Sequence, residues 1–156
     1  MNDTTVLPAD VIENADFFEH YNANVTTEFD IDAGHGIPRV DYGVPCYETA
    51  FPYINKCGYA GVETALTWMF RDLKPGVTAN LTNLVKFDQT KYQIGDSFQI
   101  NGYVYKPEAC QNGAACKVHI AFHGCTMGTD TFGTDYVTYA GYNELAEANN
   151  LVILYP

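Results

Sequence analysis

The sequence predicts an α/β fold in which helices flank a mostly parallel sheet. Residues 116–155 have the order strand, loop, helix and strand, which is the order of a parallel crossover unit. Residues 151–155 are apolar throughout, as in a strand that is covered on both faces. The 156 residues are 47% apolar and 14% aromatic, so the chain can form a core, and its length fits one domain over residues 1–156.

The first part of the chain contains signals for two helices with a strand between them. Residues 8–22 and 58–73 carry apolar side chains at helical spacing. Residues 25–32 alternate apolar and polar side chains, which predicts a strand. Glycines and a proline in Gly34–Pro38 then predict a turn.

The second part is predicted to be richer in strands. The apolar period is two over residues 84–106, where Gly95-Asp96 and Asn101-Gly102 are turn signals. Residues 116–123 and 151–155 read as strands, and residues 135–149 read as a helix. Residues 128–135 have the composition of a loop, so no helix is expected to begin at 129.

The net charge and the length of the apolar runs exclude two classes of partner. Eight basic residues against nineteen acidic ones give a formal net charge of −11, which is unsuited to a phosphate backbone. No apolar run approaches the ~20 residues of a membrane span. We therefore expect neither a nucleic-acid nor a membrane partner.

Five cysteines indicate an oxidising compartment. Cys110 and Cys116 flank a short flexible segment, and Cys46 and Cys57 flank a loop that contains proline, so each pair is predicted to form a disulfide. Cys125 has no obvious partner. No C-x-x-C pair is present, which disfavours a zinc cluster, and no metal or cofactor is expected. Sequons at Asn2, Asn24 and Asn80 agree with secretion.

The ends of the chain predict a fragment. The N-terminal residues lack the basic and apolar parts of a secretion signal. The apolar strand at 151–155 stops without the loop and further element that normally follow such a strand.

Three short segments have the chemistry of a catalytic site. His35 lies between two glycines, which suits an imidazole that is exposed on a close-packed loop. Asp3 lies in a polar turn 32 residues earlier and is a candidate carboxylate to orient that histidine. His123-Gly124-Cys125 ends a strand, where the glycine permits the Cys125 amide to point at an oxyanion. Each segment also has a plain interpretation as a loop or turn.

Other candidates are weaker. Gly124–Gly128 resembles a nucleophile elbow with Thr126 in place of serine, but a β-branched residue tolerates the strained elbow backbone poorly. Ser97, the only serine, lies in a turn with no helix after it. His119 and His123 lie ~13 Å apart on a strand, too far to share a metal. His20 is expected at the surface.

The chain resembles the extracellular poly(3-hydroxybutyrate) depolymerases and related feruloyl-type esterases, a circularly permuted branch of the α/β-hydrolase fold. The resemblance covers nearly the whole chain, and its most specific segments are Thr27–Pro38, Pro52–Tyr59, and Val118–Cys125 leading to Gly141–Asn150. It implies that His35 is the general base and Asp3 the triad acid. It also implies that the backbone at Gly124 and Cys125 forms the oxyanion hole.

The same resemblance implies that the serine elbow would precede Met1, so the chain is an incomplete catalytic domain whose missing N-terminal half is its partner. A polyester or a small ester is the implied substrate, and the chain alone is expected to be inactive and poorly stable. Two alternatives stay open: a feruloyl or acetyl carbohydrate esterase, and a non-catalytic remnant that acts as a binding module. Four aromatic residues near the His35 loop could bind a polymer or be buried in the core: Tyr42, Tyr47, Phe51 and Tyr53.

Overall fold

The computed structural model describes residues 2–92 and 99–156, which fall into two compact units, Met1–Trp68 and Met69–Pro156. Each unit is described by itself. Both contain strands and helices, so the chain is an α/β protein, as predicted. A single domain over residues 1–156 stays a prediction.

The first unit contains a helix, a small parallel sheet and most of a second helix. Helix α1 spans Pro8–His20, in agreement with the prediction. Strands β1 (Ile37–Arg39), β2 (Val44–Pro45) and β3 (Ile54–Lys56) form a sheet of order β1-β3-β2, in which β3 is parallel to both neighbours. Helix α2 (Gly61–Phe70) is shorter than predicted and crosses the boundary between the units.

Two predictions for the first unit need correction. The segment 25–32 is not a strand. It is rich in carboxylates, and Oε1 of Glu28 accepts a hydrogen bond from the amide of Asp30 at 2.8 Å, so a local side-chain contact replaces a ladder contact. The predicted turn at Gly34–Pro38 is also shorter, because β1 already begins at Ile37.

The second unit is built on a four-stranded sheet. Its strands are β4 (Leu84–Asp88), β5 (Asn101–Tyr105), β6 (Lys117–Ile120) and β7 (Leu151–Tyr155), and their order in the sheet is β4-β5-β7-β6. Between β6 and β7 lie the helices α4 (Thr129–Phe132), α5 (Asp135–Tyr139) and α6 (Tyr142–Asn149), and α3 (Glu108–Gln111) precedes β6. Strands β6 and β7 are parallel, which confirms the predicted crossover unit.

The four-stranded sheet is mixed, although the sequence predicted a mostly parallel one. Strand β5 is antiparallel to both β4 and β7, whereas the other three described pairings in the protein are parallel. Strands β4 and β5 are consecutive in the chain, and consecutive paired strands without a crossover helix run antiparallel.

Three local predictions in the second unit were wrong. Asn101-Gly102 is not a turn but the start of β5, where Gly102 lies opposite Phe87. A side chain on Gly102 would lie 2.9 Å from the Phe87 ring, so the glycine makes room for that ring. The helix predicted at 135–149 is interrupted at Gly141, which has a φ of 103°. One helical turn, α4, does begin at Thr129. The turn predicted at Gly95-Asp96 lies outside the described residues.

Covalent links and hydrophobic packing stabilise the units. The disulfides Cys46–Cys57 and Cys110–Cys116 are present, as predicted, and Cys125 is free and exposed. The core of the second unit is formed by fully buried apolar side chains of strands β5 and β7 and of the helices that cover them, among them Tyr105, Leu145, Leu151 and Ile153. Among the described residues, no helix has the length and apolar character needed to span a membrane.

Candidate active site

Asp3 is held in a tight polar turn at the start of the chain. Its Oδ1 accepts hydrogen bonds from the amides of Thr5 at 2.7 Å and Val6 at 3.0 Å. The amide of Asn2 donates to the carbonyl of Ala33 at 3.0 Å. This last bond joins the Asp3 turn to the segment that carries His35, which is how two residues distant in sequence come together.

The backbone of the His35 loop is anchored on both sides. The amide of Gly34 donates to the carbonyl of Cys46 at 2.8 Å, and the amide of His35 donates to Oγ1 of Thr49 at 2.9 Å. The amide of Ile37 donates to the carbonyl of Tyr53 at 2.9 Å. The imidazole therefore projects from a rigid backbone, as predicted for His35.

The two glycines beside His35 permit this close packing. A Cβ on Gly34 would lie 2.5 Å from the carbonyl oxygen of Glu48, and a Cβ on Gly36 would overlap Oδ1 of Asn55. Asn55 is fully buried, and its Nδ2 donates to the carbonyls of Cys46 at 2.9 Å and Glu48 at 2.6 Å. Larger residues at either glycine would displace the segment that supports His35.

His35 and Asp3 form a direct pair. Nδ1 of His35 lies 2.8 Å from Oδ2 of Asp3, and the two side chains are 42% and 22% exposed. Burial raises the pKa of the Asp3 carboxyl, but the hydrogen bonds from His35, Val6 and Thr5 together lower that pKa below 3.8. The carboxylate is thus ionised at neutral pH and can only accept, so Nδ1 of His35 carries the hydrogen. Nε2 makes no hydrogen bond among the described residues of its unit and is left as a proton acceptor.

The candidate oxyanion donor lies in the second unit, just after β6. The carbonyl of Gly124 accepts hydrogen bonds from the amide of Met127 at 3.2 Å and from Nδ1 of His123 at 2.8 Å. The amide of Cys125, which belongs to the same peptide unit, donates to no described residue of this unit. An unpaired, exposed amide of this kind is suited to bind an anionic oxygen.

The reason given for disfavouring Thr126 as a nucleophile does not hold. Thr126 has a φ of 64°, so it adopts the strained conformation that its β-branch was expected to resist, and α4 begins three residues later. Its hydroxyl, however, donates to the carbonyl of Cys125 at 2.6 Å. Nδ1 of His123, three residues earlier, is hydrogen-bonded to the carbonyl of Gly124. No base is therefore bonded to Thr126 in this unit.

The remaining candidates from the sequence are Ser97, His119 and His20. Ser97 lies outside the described residues. His119 stacks on Tyr142 with ring centroids 5.6 Å apart, and burial lowers the pKa of its imidazole. No group of three metal-ligating side chains occurs in the described parts of the chain, and His20 is exposed. Of the four aromatic residues near the His35 loop, Tyr47 and Phe51 are exposed and Tyr42 and Tyr53 are half-buried.

Sequence reasoning missed the residues that support the site. Thr49 and Asn55 hold the His35 loop, but hydroxyl and amide side chains 14 and 20 residues away carry no local signal of that contact. A cavity of about 540 Å³ in the second unit is lined by Lys106, Gln111 and the Cys110–Cys116 disulfide, among others. Neither Cys125 nor the pair in the first unit lines it.

Comparison with known proteins gives a consistent relationship. The chain is 35% identical over 138 residues to the poly(3-hydroxybutyrate) depolymerase of Delftia acidovorans, matching 86% of this chain and 28% of that protein. It is 33% identical over 140 residues to the polyhydroxybutyrate depolymerase of Talaromyces funiculosus, matching 86% and 41%. No protein-family model matches the chain.

Solved structures agree with these relatives. The crystal structure of the PHB depolymerase from Penicillium funiculosum superposes with a TM-score of 0.89 at 30% identity, covering 99% of this chain and 51% of that one. A serine-to-alanine PHB depolymerase in complex with an R3HB trimer also gives a TM-score of 0.89, at 32% identity and with the same coverage. The chain thus spans about half the length of these structures, and less of the curated relatives.

These findings define the class first. The chain is an α/β protein, and the proteins that it matches are hydrolases of a polyester. More narrowly, it is related to the poly(3-hydroxybutyrate) depolymerases over most of its length.

Proposed function

We propose that this chain is the histidine-bearing part of a polyester hydrolase that cleaves ester bonds through a Ser-His-Asp triad. The observation that carries the proposal is the 2.8 Å contact between Nδ1 of His35 and Oδ2 of Asp3, which leaves Nε2 unoccupied in its unit. This is the arrangement that a general base requires, with one ring nitrogen oriented by a carboxylate and the other available to a nucleophile.

The serine of this triad lies outside the 156 residues. The sequence contains one serine, Ser97, in a segment that lacks the second glycine of an elbow. The related structures are about twice as long as the part that matches here. The chain alone is therefore expected to lack esterase activity.

The roles in the reaction follow from the chemistry of the groups. Nε2 of His35 takes the proton of the serine as its oxygen attacks the ester carbon, and Asp3 stabilises the imidazolium that forms. The amide of Cys125 stabilises the oxyanion of the tetrahedral intermediate. His35 then returns the proton to the leaving alkoxide, and water repeats the sequence to release the acyl group.

The order of these groups supports a circular permutation. In α/β-hydrolases the usual order places an oxyanion loop after an early strand and the histidine last. Here Asp3 and His35 come first, and the loop after β6 with Cys125 follows them. A serine segment before Asp3 would give the permuted order serine, acid, histidine and oxyanion loop.

A polyester is the favoured substrate class, since the related proteins are poly(3-hydroxybutyrate) depolymerases and one was crystallised with an R3HB trimer. Exposed Tyr47 and Phe51 near the His35 loop agree with binding to an apolar polymer. The disulfides Cys46–Cys57 and Cys110–Cys116 support an extracellular location.

The proposal is tested by reading the transcript upstream of the Met1 codon and assaying both products. We expect an in-frame serine elbow. The longer protein should hydrolyse a p-nitrophenyl ester and a poly(3-hydroxybutyrate) film, and the 156-residue chain neither. His35→Ala should abolish activity of the longer protein, and His20→Ala should leave it unchanged. A stop codon directly upstream, or turnover by the 156-residue chain that His35→Ala abolishes, would refute the proposal.

A further inference from the structure

The peptide unit between Gly124 and Cys125 is held from two sides. Its carbonyl oxygen accepts the amide hydrogen of Met127 at 3.2 Å, which closes a four-residue turn with Thr126 at a φ of 64°. The same oxygen lies 2.8 Å from Nδ1 of His123. Because a carbonyl can only accept, Nδ1 of His123 carries the hydrogen of this bond, in the neutral and in the protonated ring alike.

Holding this oxygen also sets the direction of the Cys125 N–H. A trans peptide is planar, so its N–H points opposite to its C=O. With the hydrogen bond from Met127 alone, the plane of the Gly124–Cys125 peptide could still rotate about that bond. The second donor, from a side chain, removes that freedom.

His123 is exposed, and its ring has neighbours on two sides. It contacts the edge of the Tyr136 ring, with centroids 6.1 Å apart and planes at 76°. Tyr136 is 4% exposed, and its hydroxyl donates to the carbonyl of Phe122 at 2.9 Å. On another side, a Cβ on Gly128 would lie 3.3 Å from Cε1 of His123, so the glycine leaves space for the ring.

We infer that His123 is a positioning residue, which aims the Cys125 N–H at the anionic oxygen of the tetrahedral intermediate. The inference rests on the proposed function for the role of that N–H, but the orientation itself belongs to the second unit alone. In the competing interpretation His123 only belongs to the loop after β6, which ends at Ile120 rather than at the predicted residue 123, and the Met127 bond is sufficient.

Two variants separate these interpretations. His123→Asn can place an amide nitrogen near the position of Nδ1, whereas His123→Phe keeps a ring of similar size without a donor. In the 156-residue chain we would measure the ¹⁵N order parameter of the Cys125 amide. We expect about 0.85 in the wild type and in His123→Asn, and a fall towards about 0.6 in His123→Phe. The Leu145 amide serves as the control for an intact fold, and an unchanged Cys125 value in His123→Phe would overturn the inference.

The catalytic arm uses the longer in-frame protein that carries the serine elbow. His123→Phe should lower kcat by about 10- to 100-fold with KM unchanged, less than the loss of a whole oxyanion donor, and His123→Asn should restore most of it. An equal kcat in His123→Phe would overturn the inference, and this arm decides it if the shorter chain does not fold. If the longer wild-type protein is inactive while the order parameters behave as expected, the proposed function fails but the orientation of Cys125 by His123 stands.

Discussion

Oδ2 of Asp3 lies 2.8 Å from Nδ1 of His35, although 32 residues separate the two in the chain. The other carboxylate oxygen, Oδ1, accepts the amide hydrogens of Thr5 and Val6. One oxygen therefore fixes the carboxylate to its own turn while the other orients the imidazole. A carboxylate held in this way needs no rearrangement when the ring takes up a proton.

Asp3→Asn should change the acid dependence of stability. The pKa of Asp3 is lowered in the folded chain, so its stabilising effect is full above the unfolded value of 3.8 and is lost as the pH falls through the folded value. We expect the variant to be less stable by about 1 kcal/mol near neutral pH and equal to the wild type in strong acid. Denaturant unfolding at a series of pH values measures this, with Asp16→Asn on exposed α1 as control. A difference that does not depend on pH would contradict the assignment.

The bond from the His35 amide to Thr49 can be tested with a matched pair. Thr49→Val keeps the shape of the side chain and removes the acceptor at 2.9 Å, while Thr49→Ser keeps the hydroxyl. We expect faster hydrogen exchange of the His35 amide in Thr49→Val, with a loss of about 1 kcal/mol, and a smaller change in Thr49→Ser. Equal protection of His35 in the two variants would show that Thr49 does not anchor the loop.

The hydroxyl of Tyr105 connects strand β5 to helix α6 and to the segment that contains Asn80. It donates to Oε2 of Glu147 at 2.5 Å and accepts from the amide of Asn80 at 3.1 Å. Burial, and then the hydrogen bond to Glu147, raise the pKa of this fully buried tyrosine. Tyr105→Phe removes both of these hydrogen bonds, leaving Oε2 of Glu147 only the 3.4 Å bond from Nδ2 of Asn83, and should cost about 1–3 kcal/mol in the free energy of unfolding. Tyr103→Phe on the same strand is the control, because no described residue bonds to its hydroxyl, and similar losses for both would refute the role.

His119 should make the second unit sensitive to mild acid. Burial lowers the pKa of its imidazole from 6.5, so the unfolded chain binds the proton more tightly than the folded one. Stability is therefore expected to be constant above pH 6.5 and to fall as the pH decreases from there towards the folded pKa. His119→Phe should remove this component and His20→Gln should retain it, as thermal unfolding between pH 5 and 7.5 would show. The same pH dependence in His119→Phe would exclude His119 as its source.

The edge strand β6 predicts self-association. Among the described strands it pairs with β7 alone, and Val118 and Ile120 on one face of it are 62% and 48% exposed, while Phe122, two residues past its end, is 67% exposed. An apolar edge with unpaired backbone groups on its open side favours pairing with another chain. Ile120→Lys should increase the monomer fraction in sedimentation velocity, and Val77→Lys, at an equally exposed position outside the sheet, should not. No change in the monomer fraction with Ile120→Lys would place the association elsewhere.

Local patterns were sufficient wherever neighbouring residues decide the structure. Helix α1, the parallel pair β6 and β7 with helices between them, and both disulfides follow from periodicity and short spacings. Local patterns failed where a residue distant in the chain determines the local structure. Gly102 reads as a turn but makes room for Phe87, and the acidic segment 25–32 alternates like a strand but pairs with none of the described strands.

The sequence by itself determined which groups can do chemistry: a carboxylate in a polar turn, a histidine between glycines, and a flexible peptide at the end of a strand. Only the tertiary structure decided that Asp3 meets Nδ1 of His35, that Thr49 and Asn55 support the loop, and that His123 bonds to the carbonyl beside the Cys125 amide. The physical reason is that hydrogen bonds act over about 3 Å in space, whatever the separation along the chain.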